Sequence, residues 1–240
     1  MRIAVISDVH ANLHALEAVL RSIDAESPQA LWCLGDLVGY GPRPNRCCSL
    51  VAERADVCLI GNHDLGALGR LDLGDFAPDA AESARWTASV LEDERRSWLE
   101  SLQPSGEREG VSLYHASARD PVWEYVLSPE AAAASLALAG TALVLVGHSH
   151  LALRYGSEQQ VLALCEDGTS VDLARETWLL NPGSVGQPRD GDRRAAWLLL
   201  DLDERRAWYR RVAYPVEQTQ AEIRERGLPE ALAERLGQGV

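Results

Sequence analysis

Short apolar runs alternate with amphipathic stretches along the first 150 residues. Ile3-Ala4-Val5-Ile6 reads as a buried strand. Leu13, Leu16, Leu20 and Ile23 then recur at helical spacing, with Asn12 placed to cap that helix. Residues 30–34 form a second run, and Gly39, Gly41, Pro42 and Pro44 mark a loop before a short helix through Cys48 to Arg54. Residues 57–60, 111–114 and 142–146 are three further runs, the last two separated by an Ala-rich helix opened by Ser128 and Pro129. This alternation predicts parallel βαβ units.

Residues 66–107 break that rhythm. A Gly/Asp-rich loop leads to helical stretches at 80–91 and 93–102, where Trp86 and Trp98 are packing anchors, and residues 104–110 read as a polar turn. Past residue 150, apolar runs at 160–165, 170–173, 178–180, 196–202 and 208–212 are separated by Asp-Gly or charged turns, which predicts a largely antiparallel second sheet. Short helices are expected at 215–226 and 229–236. No linker, repeat or low-complexity run divides the chain. One domain over residues 1–240 is therefore expected, with a helical excursion at about 66–107 and terminal helices within 215–236.

Composition narrows the class. At 46% hydrophobic and 25% charged residues, the 240-residue chain has the balance of a folded globular protein. No run approaches the roughly 18 apolar residues that span a bilayer, and Met1-Arg2-Ile3 enters the first strand directly, so a cytoplasmic location is expected. The net charge of -13 argues against a nucleic-acid polymer or an anionic membrane as partner. Five cysteines without a Cys-x-x-Cys spacing read as reduced thiols rather than a thiolate metal site. The chain has no lysine, which leaves any fixed phosphate contact to arginine.

Candidate chemistry sits where the apolar runs stop. The first five predicted strands end in Asp8 and His10, in Asp36, in Asn62 and His63, in His115, and in His148 and His150, so five of the six histidines fall at these ends. His14 lies outside the series. Oxygen and imidazole donors without thiolate suit manganese, iron or zinc. There are more candidate ligands than one ion needs, and two ions sharing a carboxylate would use them. His148 and His150, two apart in extended chain and so roughly 6.6 Å apart at the backbone, can straddle an ion pair about 3.5–4 Å across. Hydrolysis of a phosphoester is the natural chemistry of such a pair.

The ordered series Asp-Val-His, Gly-Asp-Leu-Val-Gly, Gly-Asn-His-Asp, His115 and Gly-His-Ser-His resembles the calcineurin-like metallophosphoesterase superfamily. The segments Gly39-Tyr40-Gly41-Pro42 and Asn181-Pro182-Gly183-Ser184-Val185-Gly186 resemble its small bacterial single-domain, phosphodiesterase-like branch. The resemblance implies an α/β fold, a four-layer α/β/β/α sandwich of two mixed sheets flanked by helices. It also implies two divalent ions, manganese first with iron or zinc as alternatives. One would be held by Asp8, His10, Asp36 and His150, the other by Asp36, Asn62, His115 and His148. His63 would act as general acid to the leaving oxygen, or as an imidazolium stabilising the transition state, while a metal-bound water attacks. The substrate would be a small phosphodiester, phosphomonoester or nucleotide-like compound, with a dinucleoside polyphosphate as the rival. A fold-retaining, non-catalytic scaffold is the alternative of a different class.

One departure stands out. Protein-phosphatase members carry an Asp that orients the catalytic His and an Arg that grips phosphate where this chain has Gly39 and Tyr40. Protein phosphatase activity is therefore not expected, and nothing in the sequence marks what orients His63. Arg119 and Arg189, on loops near strand ends, are candidates for the missing phosphate contact, each equally readable as a solvated surface Arg. Trp123 and Tyr125 could stack on a nucleobase, or simply pack.

Overall fold

The computed structural model describes residues 1–240. Strand β1 (Arg2–Ile6) leads to helix α1 (Leu13–Glu26), followed by β2 (Ala30–Cys33), α2 (Pro44–Arg54), β3 (Val57–Cys58) and α3 (Asn62–Ala67). A 3-10 turn at Leu73–Asp75 precedes α4 (Pro78–Val90) and α5 (Asp93–Glu100). The chain continues through β4 (Ser105–Arg108), β5 (Val111–Tyr114), α6 (Pro129–Ala139) and β6 (Leu143–Leu145). Then come β7 (Ala152–Gly156), β8 (Leu162–Leu164), β9 (Ser170–Asp172), β10 (Trp178–Pro182), β11 (Ala195–Asp201) and β12 (Arg206–Val212), and finally α7 (Val216–Glu225) and α8 (Glu230–Gln238).

The strands form two six-stranded sheets, ordered β3-β2-β1-β11-β12-β9 and β4-β5-β6-β10-β7-β8. Both are mixed: β1, β2 and β3 run parallel, as do β5, β6 and β10, and the remaining pairs are antiparallel. The second half of the chain therefore does not make a sheet of its own. Its strands are shared out, β9, β11 and β12 extending one sheet and β7, β8 and β10 the other.

Side-chain alternation builds the layers. Ile3, Val5, Trp32 and Leu34 of one sheet meet Leu113, Leu145 and Leu180 of the other in the core between the sheets. The alternate residues Ala4, Ile6, Leu31 and Cys33 face outward against Leu16 and Val19 of α1, Val51 of α2, Ile223 of α7 and Leu232 of α8. On the far side, Val144, Leu153, Tyr155 and Leu179 pack on Ala132 and Leu136 of α6. The result is a four-layer α/β/β/α sandwich of two mixed sheets.

Two segments differ from their sequence patterning. Residues 104–110, expected as a turn, contribute β4, which pairs antiparallel with β5 across the left-handed pair Glu109 (φ 53) and Gly110 (φ 74). Strand β7 has no counterpart among the predicted runs, because Arg154 and Gly156 break its apolar pattern, yet Leu153 and Tyr155 are buried on one face of the sheet.

Asn12 caps α1 by accepting from the Ala15 amide at 3.2 Å. Its amide nitrogen also donates to the Gly186 carbonyl at 2.9 Å, and the Thr219 hydroxyl donates to its Oδ1 at 3.0 Å. One capping residue thus ties the end of β1 to the loop before β11 and to α7.

Candidate metal centre

The carboxyl ends of β1, β2, β3, β5 and β6 deliver their following loops to one place. Backbone bonds lock these loops together: Asp8 N donates to Gly35 O (3.0 Å), His10 N to Asp36 O (2.9 Å), Gly147 N to His115 O (2.8 Å) and Gly186 N to Asp8 O (2.9 Å). The geometry is strained. Asp8, His10, Ala11, Asp36, Tyr40, His148 and His150 all adopt left-handed backbone, with φ between 46 and 63. Each such residue costs of order 1–3 kcal/mol, a cost that surrounding structure bears chiefly at functional sites.

Two groups of donor atoms meet there. Asp8, His10, Asp36 and His150 place ligand atoms within 4.8 Å of one another, and so do Asp36, His115 and His148, so Asp36 belongs to both. Asn62 joins the second group, its Oδ1 lying 3.3 Å from His115 Nε2. All seven residues are buried.

Backbone carbonyls set which nitrogen each imidazole presents, since a carbonyl can only accept. His10 Nδ1 donates to Val38 O (3.1 Å), His115 Nδ1 to Leu34 O (2.9 Å) and His150 Nδ1 to Gln187 O (2.6 Å). These three rings therefore turn the Nε2 lone pair inward. His148 is reversed: its Nε2 donates to Trp123 O at 3.2 Å, leaving Nδ1 for the cluster. Outer partners of this kind orient and polarise metal-binding histidines.

The donor set fits divalent metal. The Nε2 atoms of His10 and His150 lie 2.9 Å apart, and with both Nδ1 atoms donating to carbonyls neither Nε2 of the neutral rings carries a proton. Two nitrogens bound to one ion at about 2.1 Å and at right angles stand about 3 Å apart, whereas bare lone pairs at that distance repel. Asp36 Oδ2 is buried and accepts no hydrogen bond, although His10 Nε2 lies at 3.6 Å and His115 Nε2 at 3.5 Å. Such a carboxylate is costly without a cation. The pKa shifts have the same origin. Burial pushes Asp8 up to about 7 and, together with the neighbouring Asp64 carboxylate, pushes Asp36 well above the usual carboxylate range. Burial also holds His10, His148 and His150 far below the normal imidazole range, His148 at about 2. Neutral imidazoles around carboxylates that resist ionisation are what a divalent ion converts into ligands.

His63 borders the cluster, its ring centroid 4.9 Å from that of His10 and 4.3 Å from that of Tyr40. Burial lowers its pKa to about 3, with the Arg189 charge as the next influence. Its Nδ1 has no hydrogen-bond partner. Asp64 does not orient it: Oδ1 accepts from Val38 N (2.9 Å) and Oδ2 from Gly61 N (3.0 Å), so this carboxylate caps α3 and ties it to the loop after β2. The ring is held by packing instead, against Tyr40, Phe76 at 5.4 Å and the backbone of Gly39.

The remaining candidates separate. Arg119 is turned to Glu124, to which its Nε donates at 3.0 Å, and makes no hydrogen bond to the cluster. That ion pair lies on the exposed side of the loop after β5. Arg189 donates to the Tyr40 hydroxyl beside His10 and His63. Tyr125 stacks on His148 with ring centroids 3.9 Å apart, and Trp123 meets Phe76 edge-on at 5.0 Å. His14 lies elsewhere, 3.2 Å from Glu222 Oε1. Sequence reasoning did not single out Phe76 or Gln187. Tyr40 carried a signal as the residue in the place of an expected Arg, but its contacts with two histidines have no sequence signature.

A shared carboxylate between two donor groups, set on the strand ends of this sandwich, makes the protein a metal-dependent hydrolase with a dinuclear site. A family model described as "Calcineurin-like phosphoesterase superfamily domain" matches residues 1–205, and the chain belongs to that superfamily. An uncharacterized protein of Methanocaldococcus jannaschii is 38% identical over 239 residues, covering 98% of this chain and 96% of that protein. A metallophosphoesterase from Sphaerobacter thermophilus superposes with a TM-score of 0.92 at 41% identity, over 100% of this chain and 99% of the other. A hypothetical protein from Pyrococcus horikoshii shares the fold, with a TM-score of 0.82 at 18% identity over 100% and 98% of the two chains.

Proposed function

We propose that the chain hydrolyses a small phosphodiester, phosphomonoester or nucleotide-like substrate, using two divalent ions, with manganese as the working metal. The observation that carries this reading is the sharing of Asp36 between the two donor groups. Asp8, His10, Asp36 and His150 would hold one ion, and Asp36, Asn62, His115 and His148 the other. Bound there, the ions supply Lewis acidity for a phosphoryl group and lower the pKa of a water nucleophile.

The chain's own residues do the rest. His63 stands at the rim of the cluster as the proton donor to the leaving oxygen. Burial disfavours the charged form of its ring, and a bound phosphate would act in the opposite direction, favouring the imidazolium. Tyr40 and Phe76 pack against the ring and keep it in place.

A dinucleoside polyphosphate is the second reading. It is favoured by Trp123 and by the half-exposed Tyr125 on one side of the site, where a base could stack. We read residues 1–240 as one domain acting in the cytoplasm; no helix is long and apolar enough to cross a membrane.

The test is a substrate panel with the manganese-loaded protein: aryl phosphodiesters and monoesters, mononucleotides, cyclic nucleotides, dinucleoside polyphosphates and phosphopeptides. Manganese-dependent turnover of a small ester, with phosphopeptides inert, is the expected result. Turnover confined to phosphopeptides, or absent throughout, would refute the reading.

A further inference from the structure

A phosphoester substrate brings negative charge to the site, and in a chain without lysine any fixed cationic side chain that meets it is an arginine. Arg119 is committed to Glu124. Arg189, on the loop between β10 and β11, is built differently. Its Nε and Nη2 donate to Gln187 Oε1 at 3.3 and 2.8 Å, and Nη2 donates also to the Tyr40 hydroxyl at 3.2 Å. These bonds occupy one edge of the guanidinium, and Nη1 makes no hydrogen bond to the protein.

Both partners are anchored in the metal-site loops. Gln187 is 1% exposed, and its carbonyl accepts from His150 Nδ1. Its side-chain oxygen must face the guanidinium, which can only donate, and this leaves Nε2 buried without a partner. An unmade bond of that kind is destabilising, which is unexpected in a loop whose only task is to connect strands. Tyr40 is held in left-handed backbone (φ 59), its amide donates to the Ser83 hydroxyl of α4 at 3.1 Å, and its ring lies 4.6 Å from that of His10 and 4.3 Å from that of His63. The guanidinium carbon sits 5.7 Å from the Tyr40 ring centre. The Arg189 charge reaches the cluster: after burial it is the largest influence on both His63 and His150.

We propose that Arg189 grips the substrate phosphate beside the metal pair, and that Tyr40 and Gln187 are positioning residues that aim its free edge. In this chain the grip would come from the loop after β10, supported by the Tyr that stands where protein-phosphatase members carry their Arg. The proposal rests on the phosphoester reading above.

The test uses the manganese-loaded full chain with inorganic phosphate as probe. Phosphate affinity is measured by calorimetry, alongside metal content, thermal melting and KM and kcat for an aryl phosphate. Arg189→Met should keep its metal and its melting temperature while phosphate affinity falls roughly 10- to 100-fold, the range expected for a charge-assisted contact. Free guanidinium should restore part of the affinity in Arg189→Ala. Tyr40→Phe, which removes one oxygen, should weaken phosphate binding and raise KM in the same direction by a smaller factor, with metal content unchanged. Arg189→Met and Tyr40→Phe binding phosphate within about twofold of the wild type would overturn the proposal while leaving the enzyme reading intact. Loss of metal in Arg189→Met with unaltered phosphate affinity in Tyr40→Phe would overturn it also, by making Arg189 a support of the metal loops. Wild-type protein that takes up metal yet neither binds phosphate nor turns over an ester would instead bring down the phosphoester reading itself, and this inference with it.

Discussion

The Nε2 atoms of His10 and His150 face one another 2.9 Å apart, each ring turned inward because its Nδ1 donates to a backbone carbonyl. Without a cation between them this contact, and the unpartnered Asp36 Oδ2 beside it, destabilise the fold. Metal should therefore stabilise it. Manganese at about 100 times its dissociation constant adds about 2.7 kcal/mol. For a chain of this size that corresponds to a rise in Tm of roughly 5–10 °C. Differential scanning fluorimetry with manganese against chelator measures it, and a Tm indifferent to metal would count against the centre.

His63 has no place among the donor groups, so His63→Ala should keep its metal content. The turnover number should fall by about 10²- to 10⁴-fold, the contribution of a positioned proton donor. Full activity in this variant would remove His63 from the mechanism.

Gly39 supports that ring. Its φ of +83 is left-handed, and a Cβ there would stand 2.7 Å from His63 Nδ1. Gly39→Ala should cost about 1–3 kcal/mol of stability and displace the imidazole. We expect a lower kcat with metal retained, read from denaturant unfolding and steady-state kinetics.

Away from the site, Arg43 donates to both carboxylate oxygens of Glu222, at 2.8 and 2.9 Å, joining the loop before α2 to α7. This bond, ahead of a weaker one from His14, holds the Glu222 pKa below its usual value. A carboxylate with a lowered folded pKa stabilises above its unfolded pKa, and the gain disappears as pH falls through the folded value. Arg43 is 40% exposed at its side chain, so screening limits the pair to about 1 kcal/mol. Arg43→Met should lose that much at pH 7, and the gap to wild type should close as the pH falls through the lowered Glu222 pKa, below the usual glutamate range.

Much of the fold and the donor set is legible in the sequence because both rest on local patterns. Apolar runs ending in Asp8, Asp36, Asn62, His115 and His148 mark strand ends, and parallel strands bring such ends together. The partition of the later strands is not legible. β11 and β10 carry similar apolar runs, and only long-range pairing decides that one lies beside β1 and the other beside β6. β4 was hidden because Ser105-Gly106-Glu107-Arg108 is a polar edge strand that exposes most of its surface. At the site, the ring orientations depend on carbonyls of Val38, Leu34, Gln187 and Trp123, which every residue carries and no motif records. Arg119 and Arg189 look alike along the chain. A Glu five residues after the first, and a Tyr from a distant loop beside the second, separate them.

The central claim is that Asp36 is shared by two metal ions, and metal stoichiometry tests it most directly. Wild-type protein loaded with manganese, cleared of free ion and analysed by plasma mass spectrometry should carry two ions per chain. Asp36→Ala should carry at most one and have lost hydrolysis of aryl phosphoesters. One ion per wild-type chain, or an Asp36→Ala protein that keeps two ions and turns over, would contradict the account.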